Sequence, residues 1–149
     1  MIKTYLTNFF VFSDTLLLNM RSEKIEPVIE DSTMINLVIF SASWCNPCHE
    51  QIPALKEIYQ KLKGKINMMY ISLDKSETVN NWKALMEEEQ IPWRILLATN
   101  DVEAIQKKYY AKSIPRIYII YPDKHFELLD VSEKADIDKL YYLANSYSF

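Results

Sequence analysis

One glycine, two cysteines and two histidines are all that this 149-residue chain holds of those residue types, and each scarcity narrows what the molecule can be. Two cysteines cannot build the multi-bridge framework of a small secreted scaffold. A structural zinc site asks for four ligands, and beyond the cysteines only His49 and His125 offer ring nitrogens. No apolar run approaches the ~20 residues that span a bilayer. An excess of basic residues is also missing: the net charge is −3, with both signs mixed along the chain, which argues against a nucleic-acid partner. Repeats, linkers and low-complexity stretches are lacking too, so residues 1–149 read as a single domain long enough for a sizeable core. With Gly64 as the sole glycine, the turn at residues 121–126 must rely on Pro122 and Asp123.

Both cysteines stand in one place, in the run WCNPC at residues 44–48. Before them, residues 35–40 (INLVIF) are almost continuously apolar, as in a strand covered on both faces. After them the period changes: from Pro47 onward, Ile52, Leu55, Tyr59 and Leu62 fall on one helical stripe, with Glu50, Lys56, Glu57 and Lys61 largely opposite. Cys45 therefore sits where a strand turns into a helix. Free N–H groups and the positive end of the helix dipole there favour a thiolate. Lowering a thiol pKa from about 8.5 to about 7 corresponds to roughly 2 kcal/mol, which a helix terminus and one or two donors can supply. Pro47 suits the first helical turn, where its missing N–H has no intrahelical partner. With two residues between them the cysteines can close a small disulfide ring, so Cys45 can attack a partner's disulfide and Cys48 can resolve the mixed intermediate. A structural thiol pair, or a metal-handling set of Cys45, Cys48 and His49, is the alternative reading of the same residues.

The stretch FSASWCNPCHEQIPALKEIYQKL (residues 40–62) resembles the active-site segment of thioredoxin-like thiol–disulfide oxidoreductases, in particular the TlpA and ResA type. Pro53 matches the proline usual in that helix. Residues 67–74 (NMMYISLD) resemble the family's next strand, Trp82 within residues 79–93 its following helix, and residues 113–120 (SIPRIYII) its cis-proline loop and strand. The likeness runs over residues 33 to 145. It implies an α/β thioredoxin-like fold, a central mixed β-sheet flanked by helices on both faces. It implies exchange of disulfides with protein partners, the expected direction being reduction, with an upstream redox donor and no metal or organic cofactor. By the same resemblance Pro115 is cis and faces the disulfide, and the backbone of Ile114 pairs with an extended substrate segment. Trp44, directly before the nucleophile, flanks the approach of that substrate. Asn46 and Pro47 shape the redox turn and tune its potential. A thioredoxin-shell binding module without catalysis is the rival function. Peroxide reduction, as in peroxiredoxins, would need a T-x-x-C segment that this chain lacks.

Two departures from the family pattern bear on mechanism. The carboxylate that relatives place near the buried cysteine corresponds here to Ile39 in the thioredoxin branch and to Gln51 in the TlpA and ResA branch. Neither titrates, so the proton of Cys48 is left to Glu50, His49 or water. His49 has a second and favoured reading as a solvent-facing helix residue. Further along, residues 126–131 read as a strand, and Ile137, Leu140, Tyr141 and Ala144 mark one face of a closing helix. Residues 1–32 read as an N-terminal extension. Phe9 to Phe12 with Leu16 to Leu18 could add a strand pair to the sheet edge, and the remnant of a leader is the rival reading. The resemblance points to the periplasm or cell envelope, with the cytoplasm as the alternative.

Overall fold

We describe the fold from a computed structural model, which covers residues 11–147. Its first half contains β1 (Leu16–Asn19), β2 (Ile25–Pro27), β3 (Ile35–Ser41), α1 (Asn46–Glu50), α2 (Ile52–Leu62) and β4 (Ile66–Ser72). The second half contains α3 (Val79–Glu88), β5 (Arg94–Leu97), α4 (Val102–Lys108), β6 (Arg116–Ile120), β7 (Phe126–Leu128) and α5 (Lys134–Tyr147).

All strands join one sheet in the order β2-β1-β5-β4-β3-β6-β7. The apolar run of β3 is buried at every position because it lies inside that sheet. On one side β4 runs parallel to it, with Ile39 opposite Tyr70; on the other β6 runs antiparallel, with Ile39 opposite Ile117. Side chains of a strand alternate between faces. Ile35, Leu37 and Ile39 thus meet Leu55 and Ile58 of α2, Trp82 of α3 and Leu140 of α5 in one layer. Val38 and Phe40 meet Met69, Ile71 and Leu96, with Val102 and Ile105 of α4, in the other. Each fully buried side chain of this kind contributes roughly 1.5–3 kcal/mol, so the two layers together make β3 a firm base for the residues that follow it. The mixed sheet with helices on both faces is the architecture implied by the sequence.

Three local features differ from the sequence patterns. The helix expected to run on from Pro47 is broken at Gln51, because Pro53 has no N–H to donate to the carbonyl of His49 four residues earlier. β7 stops at Leu128 rather than running to residue 131. Asp130 ends it by accepting from the backbone N–H of Ser132 at 2.9 Å and from its hydroxyl at 2.6 Å. In the turn before β7, Lys124 takes the left-handed conformation (φ 74°) that a glycine would otherwise supply, and Asp123 braces it by accepting from the N–H of His125 at 3.0 Å.

At the sheet edge β1 pairs antiparallel with β2, Leu17 opposite Glu26, and with β5. The partner of the Leu16 to Leu18 segment therefore comes from residues 25–27. Phe9 and Phe10 lie outside the described residues, and Phe12 is buried against Tyr109 with ring centroids 4.7 Å apart. Arg94 anchors the pair, its Nε donating to Glu26 and its Nη1 to the Val28 carbonyl, at 2.8 and 2.9 Å.

Candidate active site

The redox turn begins where the buried backbone of β3 runs out. Ser41 ends the strand, Ala42 is still fully buried, and the Cys45 N–H donates to the Ala42 carbonyl at 3.2 Å, closing a turn through Ser43 and Trp44. Cys45 then caps α1 in extended backbone (φ −102°, ψ 95°), and its sulfur accepts from the N–H of Cys48 at 3.3 Å. This donor belongs to the first helical turn and is shared, since it also donates to the Cys45 carbonyl at 3.1 Å. Pro47 occupies that turn. The sequence thus places a sulfur at the positive end of a short helix, in a position to gain as an anion.

Cys45 and Cys48 are joined in a disulfide with their Cα atoms 5.3 Å apart. Cys45 is 5% exposed and Cys48 2%; with Ala42 they form a small buried cluster, against which Ile114 packs. The Ile114–Pro115 peptide bond is cis. Ile114 and Pro115 are half-buried, while Asn46, Pro47 and Glu50 are exposed, and Trp44 stands out at 57% exposure. The covered sulfurs are therefore rimmed by an exposed indole and the backbone loop at Ile114. Among the described residues no group of three or more His, Cys, Asp or Glu side chains is placed to hold a metal.

His49 does not simply face solvent. It is half-buried, and its Nε2 lies 3.1 Å from the Ala42 carbonyl; since a carbonyl only accepts, that nitrogen carries the hydrogen. The ring ties α1 back to the end of β3. Gln51 is half-buried as well, and its side-chain oxygen is buried without a hydrogen-bond partner among the described residues. Beside it opens a cavity of about 340 Å³ bounded by Pro115, Arg116, Leu128 and Asp130. A carboxylate at residue 51 would provide a proton acceptor one helical turn from Cys48. Gln51→Glu is expected to raise dithiol turnover at neutral pH by about tenfold, below the ~10²–10⁴-fold of a fully positioned general base because water and Glu50 already serve the native step. Steady-state disulfide reduction at pH 7 checks this, and an unchanged rate counts against a proton-limited resolving step.

Sequence reading missed one cluster. Asp74, fully buried, accepts from both the backbone N–H and the hydroxyl of Ser43, two residues before Cys45. The available signal was polar: serines at the ends of two adjacent strands, Ser41 opposite Ser72, followed by Ser43 and Asp74.

The geometry has clear counterparts among known proteins. A thioredoxin domain of a thiol-disulfide oxidoreductase from Bacteroides vulgatus superposes with a TM-score of 0.79 at 20% identity, covering 91% of this chain and 96% of that one. A thiol:disulfide interchange protein from Bacteroides sp. gives 0.76 at 21% identity, covering 91% and 88%. At such identities the likeness is one of fold. In sequence, a thioredoxin-like protein of Bacillus subtilis is 26% identical over 113 residues, which is 68% of this chain and 64% of that protein. Other curated relatives are matched over smaller parts: the chain spans 18%, 33% and 58% of the lengths of three of them. The thioredoxin-like family model matches residues 34–126, from the start of the central strand to the first residue of β7, and the chain belongs to the thioredoxin-like family.

Proposed function

We propose that this protein exchanges disulfides with protein partners, acting as a reductase. The observation that carries the reading is the Cys45–Cys48 disulfide at the start of α1, with Ile114 packed against the cluster that holds it. In the reduced state the Cys45 thiolate attacks a partner's disulfide, forming a mixed disulfide and releasing the partner's second sulfur as a thiolate. Cys48 then loses its proton, through Glu50, His49 or water, and attacks the Cys45 sulfur. The partner leaves reduced and the pair is oxidised. An upstream dithiol donor resets it. Both steps run on sulfur alone. Trp44 and the Ile114–Pro115 loop receive the partner as an extended segment, while Asn46 and Pro47 tune the turn.

No helix among the described residues is long and apolar enough to cross a membrane. The periplasm or cell envelope is the compartment the reading favours, through the resemblance to the TlpA and ResA type. Supplied with dithiothreitol, the protein is expected to accelerate insulin reduction and precipitation. A rate equal to that of dithiothreitol alone would leave a binding module as the better account.

A further inference from the structure

β3 and β4 end side by side, and just beyond them lies a carboxylate that the exchange chemistry leaves unused. Asp74 is 0% exposed. Its Oδ1 accepts from the Ser43 N–H and from the Ser72 hydroxyl, both at 2.9 Å. Its Oδ2 accepts from the Ser43 hydroxyl and, at 2.8 Å, from the hydroxyl of Thr78. All four donors are neutral. A buried carboxylate persists only where its lone pairs are met, and here they are met by three separate segments. Ser72 belongs to the end of β4, Thr78 opens α3, and Ser43 lies inside the turn that delivers Trp44 and Cys45. The Leu73 N–H, donating to the Ser41 carbonyl at 2.9 Å, adds a backbone tie between the two strand ends.

We propose that Asp74 is a positioning residue for thiol–disulfide exchange: acting through Ser43, it fixes the turn that aims Trp44 and Cys45 at the incoming disulfide. The inference rests on the function proposed above. In that step the Cys45 sulfur forms one S–S bond as the partner's S–S bond breaks, and the electron pair leaves on the partner's sulfur. The carboxylate takes no proton and no electron. It constrains direction, and displacement of a reacting group by about 1 Å can cost ~10²-fold in rate. The same turn holds the Cys45 sulfur 3.3 Å from the Cys48 N–H, so releasing it also alters how that sulfur ionises.

The test uses the full chain carrying Ser43→Ala, Asp74→Asn, both together, or Ser43→Thr. Insulin reduction is measured across insulin concentrations, with iodoacetamide alkylation of Cys45 against pH and thermal unfolding of both redox forms. Each of the first two variants is expected to lower kcat/KM about tenfold. The double variant should fall no further than the weaker single one, because both cut the same link. The midpoint of Cys45 alkylation should move in these variants, and Ser43→Thr, which keeps the hydroxyl, should stay within about twofold of the native rate. Ser43→Ala keeps the test open if Asp74→Asn fails to fold. Native kcat/KM and alkylation profiles accompanied only by a lower Tm, or losses that multiply in the double variant, overturn the positioning role. A native chain inactive in the same assay overturns the exchange reading itself, and this proposal with it.

Discussion

Cys45→Ser is expected to bring disulfide reduction down to the uncatalysed background, a loss on the order of 10³-fold or more, as for removal of a catalytic nucleophile. A serine hydroxyl in the same place has no accessible anion near neutral pH, so the helix terminus has nothing to stabilise. Cys48→Ser should behave differently. Attack by Cys45 survives, resolution does not, and the protein should accumulate as a mixed disulfide with its partner, visible as a dithiothreitol-sensitive adduct on a non-reducing gel. Both variants also lose the disulfide, so unfolding must be separated from chemistry. The ring closes over a sequence separation of only 3. Loop-closure entropy for so small a ring is worth about 2 kcal/mol, against the 5–15 kcal/mol typical of a domain. Folded but inactive variants are therefore expected, with circular dichroism as the check. Residual turnover by Cys45→Ser well above background would remove that sulfur from the mechanism.

Trp82→Ala is expected to be the most damaging of the core substitutions. Trp82 is 0% exposed and meets Tyr70 edge to face, with centroids 5.2 Å apart. Truncation leaves a large void beneath α3, at a cost of about 3–5 kcal/mol. For a chain of this size that is a fall in Tm on the order of 10 °C. Its indole N–H is buried without a partner among the described residues, so Trp82→Phe discards an unmet donor while keeping most of the packing. That variant should lose less than about 1.5 kcal/mol. Urea unfolding of the two variants decides the matter. Equal losses would mean that the indole nitrogen, rather than the volume of the ring, is what the site requires. Thr78, the N-cap of α3, also donates to Asp74, so a loosened α3 should be felt at the redox turn as well.

The legible parts of this molecule are those in which one physical demand acts on many consecutive residues. Ile35 to Phe40 must be apolar on both sides because β3 is covered on both, and the WCNPC run must follow because a thiolate needs a helix start. The stripe of α2 could be read for the same reason, although Ile58 carries more of its burial than Tyr59. β5 and α4 escaped. β5 is four residues long with no alternation, and α4 buries Val102 and Ile105 over seven residues, too short a window for its period to stand out. The edge pair was misassigned in its second strand because Ile25, Glu26 and Pro27 carry no strand pattern of their own. They are held by Arg94, 67 to 69 positions away in sequence. Asp74 escaped for a related reason: its partners at positions 43, 72 and 78 come together only after β3 and β4 have paired.

β2 and β7, the outermost strands, are three residues each, and a proline ends the first of them. Such stubs offer a foreign polypeptide almost no row of unmet amides to zip onto. On the function proposed above, a client arriving in extended form finds little to hold along either border, which leaves the Ile114 backbone, packed on the cluster that holds the sulfurs, as the proposed place for it to pair.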